Sequence, residues 1–520
     1  MKQISWQDLK TVIKDGDVIG LAALEVANLP AEILLAILSQ HDEQQTPNDL
    51  TFVMANDINS RGLAPDLDDF VSRGMVNTVI MSILTGSPKT AQAIKSNDIK
   101  AYFLPQGIIA THYRQNNNLF PGVISKIGLN THVDPRYSGG KVNNRTVDDL
   151  VSLITINDEA YLHYQFPNID VAILRGTYAD NRGNIYLTQE AYISESYDVA
   201  LNTKANNGTV IVQVKARVDE HQQNAKDVAI PGSLVDYIYI TTQDQYHRQV
   251  VQTHYLPALS GQERVDRIPE SPLPFNSRKT ILRRAAQFLS TGDTVSIGYG
   301  INNELTNLLY EEHVAHQIQP ILDIGIFGGF IGSGQRFGMN YNADVRMSQD
   351  QAWDFIYNHG VSVAYLSFAE VDQHGNVNVS YFNNRINGCG GFIDISQSVD
   401  KIIFSGTLVA GSQVDCQNHQ LVVSKEGHHK KFIEQVTHID FNANYAKQLH
   451  QEVYFVTDRA VFQLTDDGLM LIEIAPGLDI EQDILQQMAF KPLIADNVTL
   501  IDPTIYQEHW GQLQQSIQQV

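Results

Sequence analysis

The sequence predicts an α/β fold made of two similar open α/β domains related by internal duplication. Two segments resemble each other: VAILRGTYADNRGNIYL at 171–187 and VAYLSFAEVDQHGNVNV at 363–379. Each begins as an apolar run and continues into a D-x-x-G-N turn, which opens at Asp180 in the first segment and at Asp372, 192 residues later, in the second. Repeated motifs in the same order indicate that the chain is duplicated.

Further elements follow the same alternating order in each half. At the same offset, the apolar run at 210–214 matches a strand that begins at Ile402. The pattern predicts a helix over residues 6–14 before DGDVIGLA, and a helix over residues 278–289 before TGDTVSIGYG. Short apolar runs bounded by turn residues are typical of buried parallel strands. We therefore expect helices and parallel strands to alternate in both halves.

A proline-rich segment separates the two halves. Residues 244–276 contain four prolines and little hydrophobic periodicity, which is typical of a linker. The predicted domains are therefore residues 1–243 and 277–520, with 244–276 between them. Ligands of open α/β domains bind where strands end, so we expect the active site at the facing edges of the two domains.

Composition excludes several classes of function. The 520 residues include 36 Lys+Arg and 58 Asp+Glu, which gives a net charge of −22. Nucleic acids and anionic membranes need a basic face, so neither is an expected partner. The most apolar early stretch, residues 18–38, contains two glutamates and a proline and is not expected to span a membrane. With only two cysteines, Cys389 and Cys416, we expect a cytoplasmic protein without disulfides or a metal site.

One carboxylate stands out in the second half. The segment ILDIGIFGGFIGSGQRFG at 321–338 delivers Asp323 from an apolar strand into a run of glycines. Glycines allow a bulky ligand to approach the backbone, although a glycine-rich turn with Asp323 as a local cap explains the pattern equally well. A second glycine cluster, NGCGGFIDIS, lies at 387–396, and the amide of Gln106 follows a strand in AYFLPQG. The Gly-Tyr-Gly turn at 298–300 lacks the third glycine of a dinucleotide fingerprint.

A linked series of motifs resembles one enzyme family along nearly the whole chain. They are FLPQGIIATHYR (103–114), GLNTHVDPRYSGGK (128–141), VAILRGTYADNRGNI (171–185), LPALSGQ (256–262), PLPFNSRKTILRRAA (272–286), GCGGFIDIS (388–396), TDRAVFQL (457–464) and IEIAPGLDIEQDIL (472–485). This series resembles the family I coenzyme A transferases of the single-chain acetate, propionate and 3-oxoacid type. In that family an α-like half and a β-like half are fused.

The resemblance implies a covalent, ping-pong transfer of coenzyme A (CoA) between acyl-CoA thioesters and short-chain carboxylic acids. It implies Asp323 as the nucleophile, with the Gln106 amide and the backbone N–H of Gly391 as donors to the developing oxyanion. CoA is then a substrate and covalent intermediate, and no cofactor is bound permanently. The resemblance also implies a homo-oligomer, either a dimer or a tetramer, in short-chain fatty acid or ketone body metabolism. The residues expected to line the CoA site are Gly298, Gly300, Asn302, Gly325, Gly328, Gly329, Gly388 and Gly390.

The sequence departs from the family around this site. The family's nucleophile is a glutamate, and the matching residue here is Asp323; Glu304 is the nearest alternative carboxylate. Near the N-terminus the family has a glycine loop, whereas the matching segment here, AALEVANLPAE at 22–32, contains no glycine. After Gly300 the family usually has a proline, and the matching residue here is Asn302. Removing one methylene retracts the carboxylate by about 1 Å or more, which can cost on the order of 10²-fold in rate. Two alternatives therefore stay open: an acyl-CoA thioesterase, and an acyl-CoA binding protein that has lost turnover.

Overall fold

The computed structural model describes residues 2–117, 119–219, 224–268, 272–332 and 338–517. The chain divides into two compact units. Unit 1 comprises Met1–Arg264, Arg346–Trp353 and Arg385–Asp394. Unit 2 comprises Val265–Val345, Asp354–Asn384 and Ile395–Val520. Two short segments of the second half thus pack within unit 1, and the domain boundaries drawn from the sequence stay a prediction.

Strands of the first half form the sheets of unit 1. They are β1 (Lys2–Gln3), β2 (Val18–Leu21), β3 (Leu50–Met54), β4 (Val76–Met81), β5 (Lys100–Phe103), β6 (Val123–Ser125), β7 (Val151–Ile156), β8 (Glu159–Tyr164), β9 (Val171–Ala179), β10 (Ile185–Tyr186), β11 (Thr209–Arg217), β12 (Val228–Ile230) and β13 (Tyr237–Ile240). The main sheet runs β1-β13-β11-β9-β2-β3-β4-β5 with parallel neighbours throughout. β10 pairs with β9 and β12, and β6-β8-β7 form a separate antiparallel sheet.

Helices of the first half are α1 (Trp6–Leu9), α2 (Ala31–Gln44), α3 (Leu67–Ser72), α4 (Pro88–Lys95), α5 (Gln106–Gln115), α6 (Ser196–Ala205) and α7 (Pro257–Ser260). The predicted helix over residues 6–14 is wrong in length, because α1 ends at Leu9. The next residues include Thr11, Val12 and Ile13, whose branched side chains lose rotamer freedom in a helix.

The second half adds twenty-one described strands. They are β14 (Thr294–Ile297), β15 (Gln319–Leu322), β16 (Ile326–Phe327), β17 (Phe330–Ile331), β18 (Asn340–Tyr341), β19 (Val345–Arg346), β20 (Val363–Ser367), β21 (Glu370–Asp372), β22 (Val377–Asn378), β23 (Tyr381–Phe382), β24 (Arg385–Ile386), β25 (Lys401–Ser405), β26 (Val409–Ala410), β27 (Gln413–Gln417), β28 (Gln420–Lys425), β29 (His429–Lys430), β30 (Phe432–Ile433), β31 (Glu452–Val456), β32 (Ala460–Thr465), β33 (Gly468–Ile474) and β34 (Leu493–Leu500). The main sheet runs β19-β16-β15-β14-β20-β25-β31-β32-β33-β34, with β15 through β31 parallel.

Helices of the second half are α8 (Ser277–Ala286), α9 (Leu305–Glu311), α10 (Gln349–Tyr357), α11 (Phe392–Ser396), α12 (Ala443–Gln448) and α13 (Leu513–Ser516). The helix predicted over 278–289 corresponds to α8. Asn276 caps it, and its side chain accepts hydrogen bonds from the N–H groups of Arg278 and Lys279. None of the helices in the described ranges is long and apolar enough to cross a membrane.

Five strands of each main sheet share one order, which confirms the predicted fold class and duplication. The order is β13-β11-β9-β2-β3 in unit 1 and β31-β25-β20-β14-β15 in unit 2. The register matches as well, because Val171 lies beside Thr209 and Val363 lies beside Lys401, each residue displaced by the same offset. Beyond these strands the units differ, since β3 is followed by parallel β4, whereas the chain reverses after β15 into antiparallel β16.

The two D-x-x-G-N turns have the same hydrogen bonds. Oδ1 of Asp180 accepts from the N–H groups of the residues two and four positions later, and Oδ1 of Asp372 does the same. Each glycine adopts a left-handed conformation, with φ of 86° at Gly183 and 88° at Gly375. The aspartates and glycines of the motif are thus explained by turn geometry rather than by ligand binding.

Candidate active site

Asp323 lies in a tight turn at the carboxyl end of β15. The N–H of Gly325 donates to the carbonyl of Leu322 at 3.0 Å, and the chain then reverses into β16. Gly325 has a φ of 94°, a conformation that favours glycine. This reversal needs Gly325 for its backbone alone, so its predicted role in CoA binding stays a prediction.

The environment of Asp323 favours a reactive carboxylate. Burial raises the pKa of Asp323 to about 6, and the backbone N–H groups of Ile324 and Asp323 only partly offset this effect. Among the described residues, no basic side chain contributes to the shift. The carboxylate is therefore ionised at neutral pH, yet it is more basic than an ordinary aspartate, which suits a nucleophile.

Glu304, the alternative nucleophile, is already paired. Its carboxylate lies 3.4 Å from the guanidinium of Arg278. Arg278 also donates to the carbonyl of Gly300 at 3.4 Å. Because a guanidinium already holds the carboxylate of Glu304, the geometry favours Asp323 as the nucleophile.

The Gly-Tyr-Gly turn lies next to Asp323. β14 and β15 are parallel, and Ser296 lies beside Ile321, so two residues further along each strand Gly298 comes alongside Asp323. Adjacent strands are about 4.8 Å apart. Gly300 has a φ of 118°, and a Cβ there would lie 2.3 Å from Oγ of Ser367. A side chain at Gly300 would thus be excluded even without a ligand.

Other predicted CoA-site residues have structural roles. Asn302 is fully buried, and its Nδ2 donates to the carbonyl of Leu366 at 2.8 Å, which ties the turn to β20. A Cβ at Gly328 would lie 2.0 Å from Oδ2 of Asp344, and one at Gly329 would lie 2.2 Å from the carbonyl oxygen of Tyr341. Gly334, in the same glycine-dense segment, lies outside the described residues.

In unit 1, Gln106 and the second glycine cluster come together. Gln106 begins α5, is 4% exposed, and its N–H donates to the carbonyl of Gly390 at 3.1 Å. A Cβ at Gly388 would lie 2.3 Å from the carbonyl oxygen of Ser82, so the cluster fits closely against the end of β4. Residues more than 280 positions apart in the chain are therefore neighbours.

Gly390 fixes the backbone of this cluster. Gly390 has a φ of 52°, and its N–H donates to the carbonyl of Ser82 at 2.9 Å. In the part of the chain that the structure describes, no backbone acceptor takes the N–H of Gly391. A Cβ at Gly390 would lie 3.8 Å from Oε1 of Gln106. Gln106 and the Gly390-Gly391 pair are thus neighbours, and their roles as donors to an oxyanion stay a prediction.

The altered first loop keeps glycine-like backbone conformations without glycine. Glu25 has a φ of 51° and Asn28 a φ of 57°. The guanidinium of Arg175 donates to the carbonyls of Val26 at 3.2 Å and Leu29 at 3.4 Å, which holds the loop in place. Arg175 was not among the predicted residues, although a charged residue inside an apolar strand is a signal for such a role.

Burial alone would raise the pKa of Glu190, the partner of Arg175. The charges of Arg175 and His247 outweigh burial and bring the pKa of Glu190 to about 2. Arg175 and Glu190 are 1% and 4% exposed, so they form a buried ion pair behind the first loop.

Comparisons with known proteins agree with this architecture. The family model "Coenzyme A transferase" matches residues 7–241. The chain is 37% identical to caffeate CoA-transferase of Acetobacterium woodii, over 98% of both chains. It is 35% identical to acetate CoA-transferase YdiF of Escherichia coli K12, over 91% of this chain and 89% of that one.

Solved structures give the same result. The apoenzyme of YdiF from Escherichia coli O157:H7 matches with a TM-score of 0.92 and 33% identity, covering 98% of this chain and 97% of that one. A thioester complex of YdiF with CoA matches with a TM-score of 0.90, at 32% identity and the same coverage. The chain belongs to the coenzyme A transferase family. It is a CoA-transferase of the fused, single-chain type, for which CoA is both substrate and covalent thioester intermediate.

Proposed function

We propose that the enzyme moves CoA between short-chain acyl-CoA thioesters and free carboxylic acids such as acetate, propionate, butyrate or acetoacetate, with Asp323 as the nucleophile. The observation that supports this assignment is the placement of Asp323 at the carboxyl end of a parallel strand. Its carboxylate is desolvated, and none of the described residues gives it a basic partner. Ligands of open α/β sheets bind at that edge.

The first half-reaction transfers the acyl group and then CoA to the enzyme. An oxygen of Asp323 attacks the thioester carbonyl, the C–S bond breaks, and CoA leaves as a thiolate. The product is a mixed anhydride between the acyl group and Asp323. The thiolate then attacks the Asp323 carbonyl of the anhydride, which releases the carboxylate of the donor and leaves CoA as a thioester on Asp323.

The second half-reaction is the reverse with another acid. The acceptor carboxylate attacks the Asp323 thioester, the thiolate leaves, and the thiolate then attacks the acyl carbonyl of the new anhydride. Each attack places negative charge on a carbonyl oxygen, which the Gln106 amide and the Gly391 N–H stabilise. Proton transfer is not needed in any step, because carboxylates and thiolates are the attacking and leaving groups.

The assignment is tested by mass spectrometry of the protein incubated with acetyl-CoA and no acceptor. We expect CoA on the peptide that contains Asp323. Asp323→Asn should abolish the adduct, and Asp323→Glu, which restores the family's reach, should retain or increase exchange of label between acetate and acetyl-CoA. Full exchange by Asp323→Asn would refute the assignment and direct attention to Glu304.

The same incubation separates the alternatives. Free CoA released without an acceptor acid would indicate a thioesterase, and binding without adduct or exchange would indicate a binding protein. Caffeate belongs among the acceptors tested, because a relative of 37% identity is named for it. We further propose a cytoplasmic homo-oligomer acting in short-chain fatty acid or ketone body metabolism, which sedimentation and cell fractionation would test.

A further inference from the structure

Lys431 is a positive charge placed at the carboxyl edge of the unit 2 sheet. It lies just before β30, where its carbonyl accepts a hydrogen bond from the N–H of Val371 at 2.8 Å. Its Nζ lies over the ring of Phe368, 4.2 Å from the ring centroid. Phe368 directly follows β20, so the ammonium sits at the end of that strand.

A glycine makes room for this ammonium. Gly406 directly follows β25, beside Phe368 in the register of the two strands. A Cβ at Gly406 would lie 2.7 Å from Cζ of Phe368 and 2.9 Å from Nζ of Lys431. Gly406 does not have a positive φ, so its backbone conformation does not require glycine. The space is needed for the ring and the cation.

Within the described ranges, no carboxylate accepts a hydrogen bond from the ammonium of Lys431, although the charge of Asp458 acts on it. Burial lowers the pKa of Lys431 to about 8, and Asp458 only partly opposes this. Oδ1 of Asp458 accepts from the N–H of Leu408 at 2.7 Å. Its Oδ2 is buried, has no hydrogen bond within the described residues, and lies 3.7 Å from Nε of Arg459. The ammonium therefore keeps hydrogen-bond donors that an anionic ligand at this edge of the sheet can take.

Lys431 and Asp323 lie at the same edge of one sheet. The strands run β15-β14-β20-β25 in parallel, so the ends of β20 and β25 lie two and three strands from Asp323. With strands about 4.8 Å apart, the separation is about 10–14 Å. CoA carries its sulfur at one end of the pantetheine arm and its phosphates beyond the other end, so it needs two such sites.

We propose that Lys431 binds a phosphate group of CoA while the CoA sulfur is at Asp323. This inference rests on the proposed function for the position of the sulfur. It assigns Lys431 a positioning role: the cation holds the nucleotide end, and the pantetheine arm runs along the strand ends.

The test compares Lys431→Met with Lys430→Met. Methionine retains the apolar stem that packs on Phe368 and removes only the charge. Lys430 is the adjacent control, since its Nζ donates to the carbonyls of Gln486 at 2.7 Å and Met488 at 3.2 Å. Dissociation constants are measured by calorimetry for CoA, dephospho-CoA and pantetheine, so that turnover is not required.

We expect Lys431→Met to weaken CoA binding on the order of 10- to 100-fold, the effect of losing one charged hydrogen bond. Pantetheine binding should not change, and Lys430→Met should bind all three ligands like the wild type. If Lys431→Met weakens the binding of dephospho-CoA as much as that of CoA, the contact is with the diphosphate. If Lys431→Met binds dephospho-CoA as tightly as the wild type does, the contact is with the 3′-phosphate. Unchanged CoA binding, or equal weakening for CoA and pantetheine, would overturn the proposal.

A measurement on the wild type covers the case in which Lys431→Met does not fold. The protein is labelled with an acetylating reagent, and modification of Lys431 and Lys430 is followed by peptide mass spectrometry. CoA should protect Lys431, whereas pantetheine should not, and Lys430 should be labelled equally in all samples. Absence of protection by CoA would overturn the proposal. Protection without acyl transfer by the wild type would instead refute the proposed function and leave this contact intact.

Discussion

Asp323→Asn should make the protein more stable at neutral pH while it removes the activity. Burial raises the pKa of Asp323 from 3.8 to about 6, so folding disfavours the charged carboxylate. The difference of about 2 pH units corresponds to about 3 kcal/mol at most. An asparagine side chain has nearly the same volume as the aspartate and can accept the same backbone hydrogen bonds, including the one from the N–H of Ile324, but it carries no charge.

The pH dependence gives the sign. Because the folded pKa of Asp323 is raised, the stability that its protonated form contributes is fully present below about pH 4. This contribution is lost as the pH rises through about 6. The variant lacks this loss. We therefore expect Asp323→Asn to exceed the wild type by up to about 3 kcal/mol at pH 7 and to equal it near pH 4.

Urea unfolding at both pH values measures the difference. Fluorescence of Trp510, which is 6% exposed and belongs to unit 2, follows the unfolding of the unit that contains Asp323. Asp466→Asn, at an exposed position of the same unit, is the control and should change stability little. A free energy of unfolding for Asp323→Asn below that of the wild type at pH 7 would show that Asp323 is not a desolvated charge. A difference in free energy of unfolding that is the same at both pH values would show this too.

Three further outcomes are expected. kcat/KM should fall about tenfold per pH unit below about pH 6, as the nucleophile becomes protonated, which a pH–rate profile over the range where the protein stays folded checks. Arg175→Met should destabilise by about 3–5 kcal/mol, because it leaves Glu190 charged and buried; the double variant with Glu190→Leu should recover part of this loss in denaturant unfolding. Glu195→Gln should stabilise the protein by about 3 kcal/mol at pH 7, because burial raises the pKa of Glu195 to about 8 and folding at pH 7 therefore requires proton uptake; no gain in the unfolding midpoint would contradict this.

The duplication could be predicted because short sequence patterns repeat in both halves. The matching strands and the D-x-x-G-N turns repeat at one offset, and the register of β9 with β11 recurs in β20 with β25. Strand runs and turn residues act over a few positions, so a single sequence reveals them. The same locality explains the error at α1, where a run of branched residues follows Leu9 and the helix does not continue to residue 14 as predicted.

The placement of the second glycine cluster beside Gln106 was implied by the family resemblance and could not be predicted from local patterns. Its residues lie far along the second half, yet Arg385–Asp394 packs within unit 1 against Ser82 and Gln106. This contact joins residues that are far apart in the sequence, so it depends on the tertiary structure and not on any local sequence pattern. At Gly328 and Gly329 the local pattern suggested more than the structure requires. The density of glycines suggested a ligand, but Asp344 and Tyr341 already occupy the space that a side chain would need.

If Asp323 is the nucleophile, its side chain is one methylene shorter than the glutamate that the family resemblance implies, and the turn shows a consequence of this. The hydrogen bond from Gly325 to Leu322 and the pairing of β15 with β16 fix the backbone on both sides of the carboxylate. A shorter side chain in a fixed turn cannot extend its carboxylate further towards the thioester carbon. The thioester must therefore be positioned closer to the turn. A phosphate contact at Lys431 would supply such positioning, because it holds the far end of CoA and thereby sets where the thioester stops along the strand ends. The two residues should then be energetically coupled: loss of the Lys431 charge should reduce kcat/KM more in the wild type than in Asp323→Glu, whose longer side chain tolerates a displaced thioester.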